Sequence, residues 1–227
     1  NRQTDGSLED LPAKHVDTGA GLERIVSVMQ GKSSNYDTDL FTPIIQSIES
    51  MTGKSSEGDS VPFQVIADHI RMLSFTIADG ALPSNDGRGY VLRRILRRAA
   101  RFGRILDQHD PFLFQLVEPV VNIMGDIYPE LKEKQAHIEK IIQSEEMSFN
   151  KTLDRGIQHF EKYIGKIEGD IIPGAEAFKL YDTYGFPLDL TELMARENNL
   201  SVDNDGFDQE MKKQKARAKA AGKFKPN

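Results

Sequence analysis

Between residues 130 and 165, Ile138, Ile142, Phe149, Leu153, Ile157, Phe160 and Ile164 recur at steps of three, four and seven. That spacing puts them on one stripe of an α-helix and predicts a long amphipathic helix from about Glu130 to Gly165. A stripe of this kind is core packing rather than a cofactor site or an extended coiled coil. It has to be covered by other elements, and most of the chain offers helices for the purpose.

The same periodicity predicts a helix from about Gly21 to Gly31 carrying Leu22, Ile25, Val26 and Met29. Another runs from about Asp39 to Met51, ended by Gly53. After the small polar loop "TGKSSEGDSVP", the best internal hinge, Ile66, Ile70, Leu73 and Ile77 mark the next helix. "DPFLFQLVEPVVNIMGDIY" reads as an apolar helix kinked at Pro119. "PGAEAFKLYDTYGFP" is a short helix before Gly185 and Pro187, followed by helices at about 188–198 and 206–221. Asp5-Gly6 is a hairpin-type turn signal, so a strand or two is expected near the start. The fold class expected is mainly α.

Composition narrows the function. The 227 residues include no cysteine, which removes disulfide scaffolds and thiolate zinc sites and fits a reducing, cytoplasmic setting. The five histidines are scattered without an HxxxH pair, so no protein-held metal is expected. No apolar run approaches the roughly 20 residues of a membrane span. The chain begins at Asn1 without an initiator methionine, and a piece of something larger is the expectation.

"SNDGRGYVLRRILRRAARFGR", Ser84 to Arg104, holds seven arginines in a chain of net charge −6. On a helical wheel Arg93, Arg94, Arg97, Arg98, Arg101 and Arg104 fall within an arc of roughly 140°. Val91, Leu92, Ile95, Leu96, Ala99 and Phe102 fill most of the other side. No acid lies between Asp86 and Asp107 to pair with them along the helix. Two readings stand side by side: a guanidinium ridge for a nucleic-acid backbone, and arginines paired to acids on neighbouring helices. Missing local partners favour the first, because guanidinium makes planar, multi-donor contacts to phosphate. The lysine-rich tail from Lys212 to Lys225 reads as a solvated helix.

"VDTGAGLERI", Val16 to Ile25, is a glycine-rich turn feeding a helix, a geometry that brings backbone close to a ligand. The run Gly19-x-Gly21-Leu22-Glu23-Arg24 resembles motif 3 of class II aminoacyl-tRNA synthetases. Asp17 stands where the general motif has its first glycine, and "DTGxGLER" is similar to the alanine-specific branch. "SNYDTDLF", "VIADHIR", "ADGALPSNDGRGYVLRRILRRAARFG" and "LYDTYGFPLDLT" extend the resemblance to the alanyl-tRNA synthetases, in the same order, over nearly the whole chain.

The resemblance implies that residues 1–35 are the C-terminal end of a class II catalytic domain, a small β/α remnant of its antiparallel sheet. Residues 36–227 would be the helical tRNA-recognition domain, and the remainder of the synthetase chain would be a partner. It implies alanine activation by ATP with Mg²⁺, with no metal ligand in this chain, and transfer to the tRNA 3′ end. Gly19, Gly21 and Arg24 would contact ATP, and Asp17 with Gly19 would contact alanine. Asp17 and Thr18 also suit helix N-capping.

For the tRNA(Ala) acceptor stem the implied signal is a G·U wobble pair. Its guanine 2-amino group lacks a partner and projects into the shallow minor groove. Asn85 and Asp182 match the positions that would accept its hydrogen bond, with Arg88, Arg93, Arg94, Arg97, Arg98 and Arg101 on the backbone. Ser84 and Asn85 also suit a helix cap, and Asp182 an exposed helical site in a last turn whose dipole disfavours an anion. His69, Tyr181, Tyr184 and Phe186 are read as structural. A non-catalytic helical nucleic-acid-binding module and a helical protein-interaction module are the competing functions.

Overall fold

The computed structural model describes residues 2, 3, 5–14, 16 and 19–221, with backbone only for 218–221. It forms two compact units, Asn1–Thr42 and Pro43–Asn227. In the first, Gly6 turns the chain so that Arg2 and Leu8 form an antiparallel bridge. Among the described residues this bridge stands where a strand or two was expected. Helix α1 (Leu22–Met29) follows Gly21 and ends before Gly31. Leu22, Ile25 and Met29, its expected core face, are 48%, 46% and 80% exposed. A 3₁₀ turn at Asn35–Asp37 is capped by Ser34, whose Oγ accepts from the Tyr36 N–H at 3.2 Å.

The second unit is helical. Helix α2 (Thr42–Thr52) ends at Gly53, and α3 (Val61–Ala78) starts with Pro62 in its first turn, where no N–H is needed. Ile66, Ile70, Leu73 and Ile77 of α3 are fully buried. Each contributes roughly 1.5–3 kcal/mol of hydrophobic stabilisation. Helix α4 (Gly87–Ile105) carries the arginines and packs Leu92, Leu96, Ala99 and Phe102 inward, with α3 beside it.

Two sequence readings need correction. A 3₁₀ turn (Leu113–Leu116) leads into α5 (Val117–Met124), so Pro119 falls in the first helical turn. There its missing N–H breaks no intrahelical bond, so the proline stands at a helix start rather than within one. The long helix is interrupted at Lys134, between α6 (Pro129–Glu133) and α7 (Gln135–Ile164). Lys134 leaves helical geometry at φ −108°, and its Nζ donates to the Ala78 carbonyl at the end of α3, 2.5 Å away.

Helix α7 then runs beside α3, α4, α5 and α8 (Gly174–Tyr184). Helices α9 (Leu188–Glu197) and α10 (Asn204–Ala221) complete the unit. Two strands the sequence did not disclose, β1 (Ile171–Ile172) and β2 (Ser201–Val202), pair in parallel. They close the segments before α8 and α10, which pack around Ala177, Phe178 and Phe207. Among the described residues no helix is long and apolar enough to cross a membrane.

Candidate nucleic-acid interface

Five arginines of α4 have acidic partners, supplied by distant helices. Glu145 of α7 takes Arg93 Nε at 2.8 Å and Arg97 Nη2 at 2.9 Å on one oxygen, and Arg93 Nη2 at 3.1 Å on the other. Arg94 Nε lies 2.9 Å from Asp189 of α9. Arg101 pairs with Glu197 of α9, and Arg104 Nε meets Asp154 of α7 at 2.7 Å. The expectation of an unneutralised ridge is therefore corrected for Arg93, Arg94, Arg97, Arg101 and Arg104. The wheel argument placed the arginines on one face, but that face is a seam against α7 and α9. Arg98 Nε is buried with no hydrogen-bond partner among the described residues. Arg88 is exposed and makes no ion pair among them.

Asn85 and Asp182 come together on one cleft of about 490 Å³. Tyr90, Arg93 and Arg97 of α4 form one side, and Tyr181, Gly185 and Pro187 another. Met211, Gln214 and Lys215 of α10 close it. Neither Ser84 nor Asn85 caps α4. The N-cap is Asp86, without a side-chain cap bond, while Ser84 Oγ donates to the Asp86 carbonyl at 2.8 Å. Asn85 instead accepts through Oδ1 from Arg93 Nη1. Asp182 sits in the last turn of α8, exposed, and accepts from Gln214 Nε2 at 2.6 Å.

The end of α8 is held from three directions. Gly185 is left-handed, at φ +74°, which ends the helix. Arg97 Nη1 donates to its carbonyl at 2.6 Å. Thr152 Oγ1 of α7 donates to the Tyr184 carbonyl at 2.7 Å. Phe186 is fully buried against Phe149 and fills the space beside Gly156, where an added Cβ would stand 2.2 Å from its ring. Burial lowers the affinity of Arg97 for its proton, and the Glu145 carboxylate opposes that shift. The Phe149 ring lies 5.1 Å below its guanidinium.

Tyr181, Tyr184 and Phe186 are packing residues as expected: Tyr181 meets Phe207 edge-on and Tyr184 stacks on His159. His69 is largely withdrawn from solvent, its side chain 16% exposed, and this desolvation, with Arg98 nearby, lowers its pKa to about 4. Its Nε2 has no hydrogen-bond partner among the described residues.

In the first unit, Asp17 and Thr18 lie outside the described residues. Space around Gly19 is open, and around Gly21 a Cβ would meet only Glu23 Oε2 at 3.9 Å. Arg24 is exposed in the first turn of α1. Among the described residues no group of three or more histidines or acids could hold a metal ion.

The pattern that describes tRNA synthetases class II (A) matches residues 1–226. The chain belongs to the class II (A) tRNA synthetases. It is 52% identical over 227 residues to the alanine–tRNA ligase of Chlorobium phaeovibrioides, spanning 96% of this chain and 26% of that protein. The alanine–tRNA ligase of Bacillus subtilis is 51% identical, over 97% of the chain and 26% of its own length. That of Streptococcus sanguinis is 56% identical over 219 residues, 94% of the chain and 25% of its own length. The chain thus spans about a quarter of these curated relatives.

In this class II synthetase chain, sequence reasoning missed the acids that answer the arginines. One signal was present. Glu146 lies on the apolar stripe of α7, between Ile142 and Phe149, and an acid there has to be partnered. It is 1% exposed and accepts the backbone N–H groups of Phe112 and Leu113 at 3.2 and 3.0 Å. Its neighbour Glu145 takes the two arginines.

Proposed function

We propose that this chain is the part of an alanine–tRNA ligase that recognises the acceptor stem of tRNA(Ala) and contributes motif 3 to the site for ATP and alanine. The observation that carries the reading is the convergence of Asn85, in the loop before α4, and Asp182, at the end of α8, on one cleft although they are far apart in sequence. Both present oxygen acceptors, which is what the unpaired 2-amino group of a G·U guanine requires. In a Watson–Crick pair that group is already bonded to cytosine, so its hydrogen bond is worth less to the protein.

Backbone contacts set the register. Arg88 and Lys215, unpaired among the described residues, are the first candidates for phosphate. Arg93, Arg94, Arg97, Arg98 and Arg101 belong to the phosphate-contact proposal only through donors that their protein partners leave unused.

Residues 1–35 are assigned to the end of the catalytic domain and 36–227 to the helical tRNA-recognition domain. Support for the first assignment is the exposed apolar face of α1, which a larger domain would cover. Arg24 fits against a bound nucleotide, since guanidinium both stacks on adenine and neutralises phosphate, and the open space at Gly19 and Gly21 admits a ligand. Asp17 would hold the alanine ammonium. Mg²⁺ would come with ATP, and no ligand for it is identified among the described residues. The ligase activity belongs to the whole enzyme, and the chain by itself is expected to support no alanine-dependent ATP–pyrophosphate exchange.

The experiment is a titration of the chain with acceptor stems carrying G·U or G·C at the identity position. The wobble stem should bind more tightly, and Asn85→Ala or Asp182→Ala should remove the preference. Equal binding of both stems by the unaltered chain would leave only a general nucleic-acid-binding module.

A further inference from the structure

Asn85 lies in the loop before α4 and Asp182 in the last turn of α8, so a cleft that measures one base pair needs something to fix their spacing. Glu145 of α7 is linked to both through Arg93 and Arg97. Its carboxylate is 12% exposed and receives Arg93, 19% exposed, and Arg97, 17% exposed. The guanidinium of Arg93 then reaches Asn85, and that of Arg97 reaches the carbonyl of Gly185, three residues after Asp182. One acid thus anchors two arms, and each arm ends at one of the reading elements.

We propose that Glu145 is the positioning residue of the cleft: by holding Arg93 and Arg97 on a single carboxylate it fixes Asn85 and the Asp182-bearing end of α8 at the spacing a minor-groove guanine requires. The inference rests on the reading of Asn85 and Asp182 as the guanine-contacting pair. Two guanidiniums this close repel each other, and the anion between them is what lets both stay in place. Without its charge they swing toward solvent, Arg93 releases Asn85, and Arg97 releases Gly185. Arginine is required on both arms, because each must bridge a carboxylate and a second oxygen at once, and lysine has no such fork. Arg93 and Arg97 therefore serve shape discrimination more than phosphate attraction.

Glu145→Gln keeps the side chain's shape and removes its charge, and Arg97→Lys is the second variant. Both are titrated with the G·U and G·C stems over a salt series, with thermal unfolding in parallel. The expected result is a wobble preference falling to within about twofold, with affinity for the G·C stem held or raised and a steeper salt dependence as the guanidiniums come free. Combining Glu145→Gln with Asn85→Ala should remove no more preference than either change alone. A merely structural glutamate would instead weaken both stems equally and in step with lost stability, and that outcome overturns the assignment. So does a preserved preference in both Glu145→Gln and Arg97→Lys while Asn85→Ala abolishes it, which leaves the guanine reading standing. Absence of any preference in the unaltered chain overturns that reading itself, and this inference with it.

Discussion

Arg97 donates through Nη1 to the carbonyl oxygen of Gly185 at 2.6 Å, tying the middle of α4 to the end of α8. A Cβ on Gly185 would stand 2.7 Å from that same nitrogen, on a backbone at φ +74°. Gly185→Ala therefore meets both left-handed strain, about 1–2 kcal/mol, and a displaced guanidinium. Thermal unfolding should begin several degrees lower, and the G·U preference should shrink.

Phe186 fills the notch at Gly156 next to that turn. Phe186→Ala should cost about 3–5 kcal/mol in urea unfolding, because the ring is fully buried. Gly156→Ala overpacks the same notch and should cost about 1–3 kcal/mol.

The ion pairs of α4 are unequal. Glu145 is 12% exposed and serves two arginines, whereas Glu197 is 37% exposed and serves Arg101. Glu145→Gln should destabilise the fold by about 2 kcal/mol, since two half-buried guanidiniums lose their anion. Solvent screens the Arg101–Glu197 pair, so Glu197→Gln should cost under about 1 kcal/mol. Equilibrium unfolding of both variants at one salt concentration checks the ranking.

Two desolvated groups give opposed pH dependences. Burial raises the Glu146 pKa from its usual 4.5 to about 7, even though two backbone N–H groups favour its ionised form. Between those values the folded chain binds more protons than the unfolded one. Its contribution is full below pH 4.5 and lost as pH rises through 7. Burial lowers the His69 pKa from 6.5 to about 4, so its contribution is full above pH 6.5 and lost as pH falls through 4. Between pH 4.5 and 6.5 these two slopes oppose, each about 1.4 kcal/mol per pH unit. Over that range, relative to the unaltered chain, Glu146→Gln should make stability rise more with pH, and His69→Gln should make it fall more. Unfolding midpoints across pH 4.5–6.5 measure both.

Local rules predicted much of the helical plan. Ile66, Ile70, Leu73 and Ile77 disclosed α3 by periodicity, and Gly185 with Pro187 disclosed the end of α8. Pro119 misled because a proline reads as a kink unless the helix start is known, and that start depends on the 3₁₀ turn before it. The two-residue strands β1 and β2 are too short for any periodicity. The arginine face was legible as a face. Its partners were not, because Glu145, Asp154, Asp189 and Glu197 reach it from about 50 to 100 residues away, and only the packing of α7 and α9 brings them there. The joining of Asn85 and Asp182 in one cleft was expected from family resemblance, not from any pattern of spacing.

Replacing the wobble guanine by inosine removes only the 2-amino group and leaves the wobble geometry in place. Binding of the chain to a G·U stem and to the matching inosine·U stem is the most direct measurement. Asn85 and Asp182 as acceptors of that group predict that the inosine stem binds as weakly as the G·C stem, and that Asn85→Ala erases the difference. An inosine·U stem bound as tightly as the G·U stem would contradict the account.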